Sequence, residues 1–596
     1  MEHQVSLHTI RKKIDDVQRF LAITLQIANA HTVDFYTGDI WDTFMAVSPE
    51  DVLSQFSASA AAPGTLQIGT LETNFGFCHE TGKLVDIGAF LQAAEHHSLP
   101  QLGVAMTTEM LMKMLSEMDE HLKCNTAPEP DDFMNSKKAH EVHAMSYLVA
   151  FLAQHCRVKQ VIDVGSGKGY LSSHLSMQYG LQVFGLDSSS NNTHGAQERN
   201  RKLKRYSRAN RRSNRTRQGQ ENFSPSEGEQ LPGVEKEPRE GWEGMATENV
   251  APLPGTQMND QVSMDGNCLE PVACTVENEC LTDPFLSALS LYVEEPVCTR
   301  VPPSQLSKEE KEQRMRENLE RKLKKGRKSS SSNLFLPLTS YVTAETELKE
   351  IIPELKNAVT VGLHTCGDLA PSTLRMFVTR QEIQATCSVG CCYHLLTEEF
   401  DQRRWDQALT TGQMEIVASD VGTEVFGFPM SQYLREQMYV CGRNARMSAC
   451  LALERVTAGG GLPVESLFYR AVLHVILKDY YNAHKSEKRV GNVYSKTSSF
   501  VEYIRRALTK LCLDGSKISD EDIQMYHDKY KHRICEMVAF NRLKVTLAPC
   551  IEGLILLDRL CYLKEQENVS FGALVQLFDP LMSPRCYGLV ALKVLP

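Results

Sequence analysis

The 596-residue chain, 42% hydrophobic and 23% charged, has the composition of a soluble globular protein and the length for two or three domains. Its net charge of −10 excludes a nucleic-acid scaffold that works by charge alone, although local basic segments remain. No apolar run reaches the ~18 residues of a membrane span, and no apolar core or cleavage site follows Arg11, Lys12 and Lys13, so neither a membrane segment nor a signal peptide is expected.

Residues 1–130 read as a helical N-terminal domain. Ile10 to Ala28 carries apolar residues at helical spacing, Ser48-Pro49-Glu50-Asp51 is a helix start, and Leu111 to Leu122 is amphipathic. A loop through Thr126–Asp132 leads to a helix from about Lys137 to Gln154. Lys137 and Lys138 open that helix, where they would be solvated or clamp a phosphate or carboxylate.

The most informative segment follows. Val161, Ile162 and Val164 read as a buried strand, Gly165, Gly167 and Gly169 as a tight loop, and Leu171 to Met177 as a helix. Such a unit brings backbone N–H groups against a nucleotide-like cofactor. A phosphate-binding loop is excluded because Ile162 stands where the first glycine is needed and Tyr170 where Ser or Thr is needed. A dinucleotide loop requires a glycine where Tyr170 stands. Asp163 within the strand end and the Gly-x-Gly-x-Gly spacing favour S-adenosyl-L-methionine. A second apolar strand, Leu181 to Asp187, ends in an acid 24 positions beyond Asp163, placed to accept from ribose hydroxyls. Asp163, Gly165, Gly167, Gly169 and Asp187 are therefore the expected cofactor-binding residues.

Residues 188–334 interrupt the pattern. Ten Lys or Arg fall within 199–217, then acidic and Pro/Gly-rich sequence follows, and a charged single helix is expected from Ser307 to Lys325. Too little apolar surface is present to offset ordering entropy, so this insert is expected to be disordered. The basic run 199–217 is a candidate RNA contact, a nuclear signal or a solvated linker.

The βα rhythm then returns: strands at Leu338–Thr343, Val359–His364 and Ala385–Gly390, and helices at Thr346–Ile352 and Ser372–Val378. Residues 429–566 read as a helical insertion, with stripes at Ser466–Tyr481, Phe500–Leu511 and Leu547–Leu563. Two late strands, Phe571–Phe578 and Tyr587–Val594, suit an antiparallel closing hairpin over 567–596.

Open α/β sheets present reactive groups at the carboxyl ends of their strands. Here those ends read His364-Thr-Cys-Gly-Asp368 and Cys391-Cys-Tyr-His394. His364 and Asp368 are candidate general bases, and His394 is the third candidate catalytic residue. Asp368 would otherwise cap the next helix and His364 line a wall. Cys366, Cys391 and Cys392 would make a metal cluster only if both strand ends converged, and adjacent cysteines chelate one tetrahedral ion poorly. No metal is expected, and reduced cysteines packed beneath a substrate pocket are the simpler reading. The 18 scattered cysteines contain no Cys-x-x-Cys pair, which with no signal peptide fits reduced thiols and a cytoplasmic or nuclear protein.

Together, Lys137-Lys138-x-His140-Glu141, Asp163–Gly169, His364–Asp368, Cys391–His394 and Phe428-Pro-Met-Ser431 occur in this order, and the chain resembles the methyltransferase-like protein 25 family. The likeness runs from Val33–Asp42 to the closing hairpin and leaves out only the charged insert. A more distant likeness is to transfer-RNA 2′-O-methyltransferases with similar strand ends. The resemblance implies an α/β, class I methyltransferase (Rossmann-like) sheet and S-adenosylmethionine binding. The core would comprise 131–187 and 335–428. The expected function is methyl transfer to RNA, protein or a small molecule; the alternative is a non-catalytic cofactor-binding or scaffold protein. Methylation of a base amino group is disfavoured, because His364–Asp368 stands where such enzymes carry Asn/Asp-Pro-Pro-aromatic.

Overall fold

The β-branched and apolar runs pair into one mixed sheet of eight strands, in the order β1-β7-β8-β6-β5-β2-β3-β4. The strands are β1 (Ala105–Thr107), β2 (Gln160–Val164), β3 (Gln182–Asp187), β4 (Phe335–Thr339), β5 (Ala358–Cys366), β6 (Ile383–Cys391), β7 (Val569–Gln576) and β8 (Tyr587–Lys593). The computed structural model describes residues 5–61, 74–118, 134–203, 334–400, 425–453, 456, 464–482, 490 and 493–594.

Strands β6, β5, β2, β3 and β4 run parallel, so their carboxyl ends share one edge. Every residue of β2 and β6 is buried, as expected where helices cover both faces. From β2 the chain moves outward to β3 and β4, then returns to place β5 on the other side of β2. The crevice between β2 and β5 is thus the topological switch point where such sheets bind ligands. Strand β8 inserts antiparallel between β6 and β7.

Two strand expectations are corrected. The sheet gains β1, which pairs parallel with the outer edge of β7 and so joins the N-terminal segment to the core. Strand β4 starts at Phe335 rather than Leu338, because the fully buried Phe335 ring packs under the glycine loop. The insert also begins later than expected. Residues 190–203 are helical, with Ala196 and Leu203 buried, and the Arg199 guanidinium lies 4.0 Å from the centroid of the Tyr170 ring. Residues 204–333, with the rest of the basic run and the expected Ser307–Lys325 helix, lie outside the described residues. A deletion starting at 191 is therefore expected to lower the melting temperature more than one starting at 205, a difference that differential scanning calorimetry would read.

The helices cover the sheet and extend it. The Leu7–Asn29 helix, capped by Ser6, packs along the 31-residue Ile534–Lys564 helix, and Arg11 reaches Glu565 at 3.2 Å. That long helix starts well before the expected Leu547, since Met537, Phe540 and Leu543 already bury an apolar stripe. Pro549 sits inside it, where burial on both sides of the missing hydrogen bond offsets a cost of about 3 kcal/mol. Glu552 on the same helix accepts hydrogen bonds from Tyr393 (2.7 Å) and the buried Arg585 (2.8 Å), which ties the β6 end to the helix and the closing hairpin.

Candidate active site

The glycine loop leaves β2 at the switch point and is held from one side by β3. Gly165 N–H and Ser166 N–H donate to the Leu186 carbonyl at 2.8 and 3.0 Å. The Asp187 carboxylate accepts from Gly167 N–H (2.9 Å), Ser189 N–H (2.8 Å) and the Asn192 amide (3.2 Å). Asp187 is thus fixed beside the loop, with further acceptor capacity on its oxygens.

The loop has a packed side and an open side. Gly169 has φ +68°, and a Cβ there would lie 2.7 Å from Phe335 Cζ, so only glycine lets the helix start so close to β4. Gly167 has φ +53°, and among the described residues a Cβ there would meet nothing within 4 Å. The loop is therefore open on the Gly167 side. Gly165 borders the neighbouring strand: a Cβ would stand 3.1 Å from Leu369 Cδ2 and 3.7 Å from the His364 carbonyl.

Asp163 is placed differently from the sequence expectation. It is fully enclosed beneath the loop, and its carboxylate accepts from Ser172 Oγ at 2.5 Å. It positions the following helix rather than presenting a carboxylate to a ligand. Burial lifts its pKa to about 7, against the opposing effect of the Ser172 bond. An acid so raised contributes stability that is present below its ordinary pKa and lost as pH rises through about 7. Asp163→Asn is therefore expected to raise the melting temperature, with a gain that grows from about pH 5 to about pH 8.

Across the crevice, His364 near the end of β5 is about one-third exposed, and its Nε2 lies 3.2 Å from Glu141 Oε2. Glu141 comes from the Ser136–His155 helix, capped by Asn135, and has no exposed surface. Its other oxygen accepts from Ser583 Oγ at 2.7 Å. Lys137 and Lys138 approach at 3.7 and 3.6 Å. Burial alone would raise the Glu141 pKa, but the His364 hydrogen bond and charge, then Lys138 and Lys137, outweigh it and bring it down to about 2. The Glu141 contact at Nε2 orients the ring; in the neutral form whose proton sits on Nε2 the lone pair lies on Nδ1, the arrangement of an oriented general base. The two lysines are thus partners of a buried carboxylate, and Lys138 also lies 5.9 Å from the Tyr170 ring at the loop helix.

The other two candidate bases are engaged elsewhere. Asp368 stands at the N-cap of its helix but makes no side-chain cap bond; its Oδ1 accepts from Thr397 N–H at 2.9 Å. His394 is buried, with Nδ1 3.7 Å from Cys450 Sγ. The backbone of His364 thus passes beside Gly165 while its ring meets Glu141, and Asp368 and His394 engage Thr397 and Cys450. Sequence reasoning missed Glu141 as the partner of His364. The available signal was the spacing of Lys137, Lys138 and Glu141, which stacks their side chains on one helix face.

A family model described as a methyltransferase domain matches residues 137–399. A mouse protein named "Probable methyltransferase-like protein 25" is 45% identical over 608 residues, covering 98% of this chain and 97% of its own. A human protein of the same name is 44% identical over 612 residues, covering 98% of each. No solved structure gives a significant match. Among the described residues, no helix is long and apolar enough to cross a membrane.

Proposed function

The chain belongs to the methyltransferase-like protein 25 family, and from that premise we propose that it is an S-adenosylmethionine-dependent methyltransferase with His364 as the base that takes the acceptor's proton. The observation that carries this reading is the glycine loop itself, open at Gly167, bonded to the Asp187 carboxylate there and passing the His364 backbone at Gly165. When bound, the cofactor supplies an electrophilic methyl group on a sulfonium. Gly165 to Gly169 would receive it by backbone approach, and Asp187 would accept from its ribose hydroxyls. His364, oriented by Glu141, would take the proton of an acceptor hydroxyl, thiol or amine through Nδ1. Much of the rate enhancement would come from holding two reactants in line in the crevice between β2 and β5.

The acceptor is sought by incubating the full chain with methyl-labelled cofactor and separated pools of RNA, protein and small molecules. Label is expected in one pool, and His364→Ala is expected to lower incorporation by about 10²-fold or more. Cofactor affinity should be unchanged in that variant. Full activity in His364→Ala would remove the base from the reading, and absence of label in every pool would favour a binding protein.

A further inference from the structure

Strands β5 and β6 end side by side, with Cys366 and Cys391 as register partners. Their sulfurs lie 3.0 Å apart, well beyond a bond of about 2.05 Å. In a regular strand the next side chain, Cys392, would point to the opposite face. It does not, because Cys392 has φ 51° and ψ 50°, a left-handed turn that breaks the alternation. The Sγ atoms of Cys366, Cys391 and Cys392 all lie within 4.8 Å of one another. This turn removes the objection that adjacent cysteines chelate poorly.

We propose that Cys366, Cys391 and Cys392 form a binding site for a thiophilic divalent metal ion, with Zn²⁺ the ion of best fit. A Zn–S distance of about 2.3 Å places the sulfurs of a tetrahedral site about 3.8 Å apart, so small side-chain movements suffice. Binding replaces three thiol protons, which pass to solvent, and leaves the Zn²⁺–trithiolate group with one net negative charge. Three protein ligands leave one tetrahedral position for water or an acceptor atom, the pattern of an open rather than a closed zinc site.

A second observation points the same way. Arg559 is 1% exposed and lies directly behind the β6 end, where a Cβ on Gly390 would stand 2.3 Å from its Nη1. Among the described residues its Nε and Nη2 have no hydrogen-bond partner. Asp558 accepts from Met430 and Ser431 and Asp368 Oδ1 from Thr397, so these carboxylates act on the guanidinium by charge at a distance. Burial of an unpaired guanidinium is costly unless negative charge lies close by. Asp558, Asp368 and the face of the Tyr393 ring supply part of it, and a metal–thiolate group beside Cys391 would add to it where three neutral thiols add none. The exposure of Cys366 provides the route of entry.

The proposal stands apart from the methyl-transfer reading and is tested without activity. The full chain, purified under reducing conditions without chelator, is expected to carry about one zinc ion per molecule by elemental mass spectrometry. Exchange for Co²⁺ should give thiolate charge-transfer absorption together with the intense visible bands of a tetrahedral ion. Cys366→Ser, at an exposed position, is expected to keep the fold and lower zinc affinity by about 100-fold or more. Cys512→Ser, far along the chain and exposed, should retain the metal. A folded, reduced chain that takes up no zinc overturns the proposal. So does a Cys366→Ser variant that binds zinc like the parent, or a disulfide joining Cys366 to Cys391 in freshly isolated protein.

Discussion

Gly167→Arg is expected to abolish S-adenosylmethionine binding while leaving the protein folded. The two effects separate because of what surrounds Gly167. Among the described residues a Cβ there meets no atom within 4 Å, so the new side chain leaves the backbone without a clash. The remaining cost is a non-glycine residue at φ +53°, about 1–2 kcal/mol. The arginine would instead fill the open side of the loop and put a cation where the sulfonium must lie. Affinity is expected to fall by about 10²-fold or more, which is about 2.7 kcal/mol. Equilibrium dialysis reads the binding and a thermal melt reads the fold. Gly169→Ala is the contrasting control, since its Cβ would lie 2.7 Å from Phe335 Cζ and should cost stability first. Cofactor binding by Gly167→Arg at the parental affinity would move the site away from this loop.

The second large effect is expected at Glu141. Glu141→Gln keeps the shape and removes the charge that orients His364 and neutralises Lys137 and Lys138. Loss of the carboxylate behind a histidine base costs about 10²–10⁴-fold in rate in comparable arrangements. Stability should fall as well. The folded pKa of about 2 lies below the ordinary 4.5, so the contribution is present above about 4.5 and lost as pH falls toward 2. At about 1.4 kcal/mol per unit it is on the order of 3 kcal/mol near neutral pH. Urea denaturation across pH 3–7 should therefore show a steeper acid loss in the parent than in Glu141→Gln. Equal slopes would mean that Glu141 is not the ionised centre of this cluster.

The residues that were readable and those that were not differ in the range of their interactions. Val161 to Gly169 and Leu181 to Asp187 declare strand, loop and acid within a few positions, and the structure forms them as β2, the loop and β3. The closing hairpin was legible for the same reason, as two apolar strands about a Pro-marked turn. Strand β1 was not, because three residues of intermediate or exposed character, Ala105–Thr107, carry no pattern of their own and are strands only by pairing with β7. Glu141 looked like part of a charged helix face. Its burial is imposed by His364, 223 residues away, and Ser583, 442 residues away. Asp368 and His394 stood at the right strand ends, but their direction is set by Thr397 and Cys450, which local sequence does not disclose. The left-handed turn at Cys392 was equally hidden, since such a conformation is uncommon for a non-glycine residue.

The central claim is that the loop from Gly165 to Gly169 binds S-adenosylmethionine beside Asp187. Titration calorimetry of the folded, full-length chain with that cofactor tests it most directly. Saturable heat with about one site per chain, competed by S-adenosylhomocysteine and lost in Gly167→Arg, is the predicted result. A folded chain that gives no binding heat at any of several temperatures would contradict it.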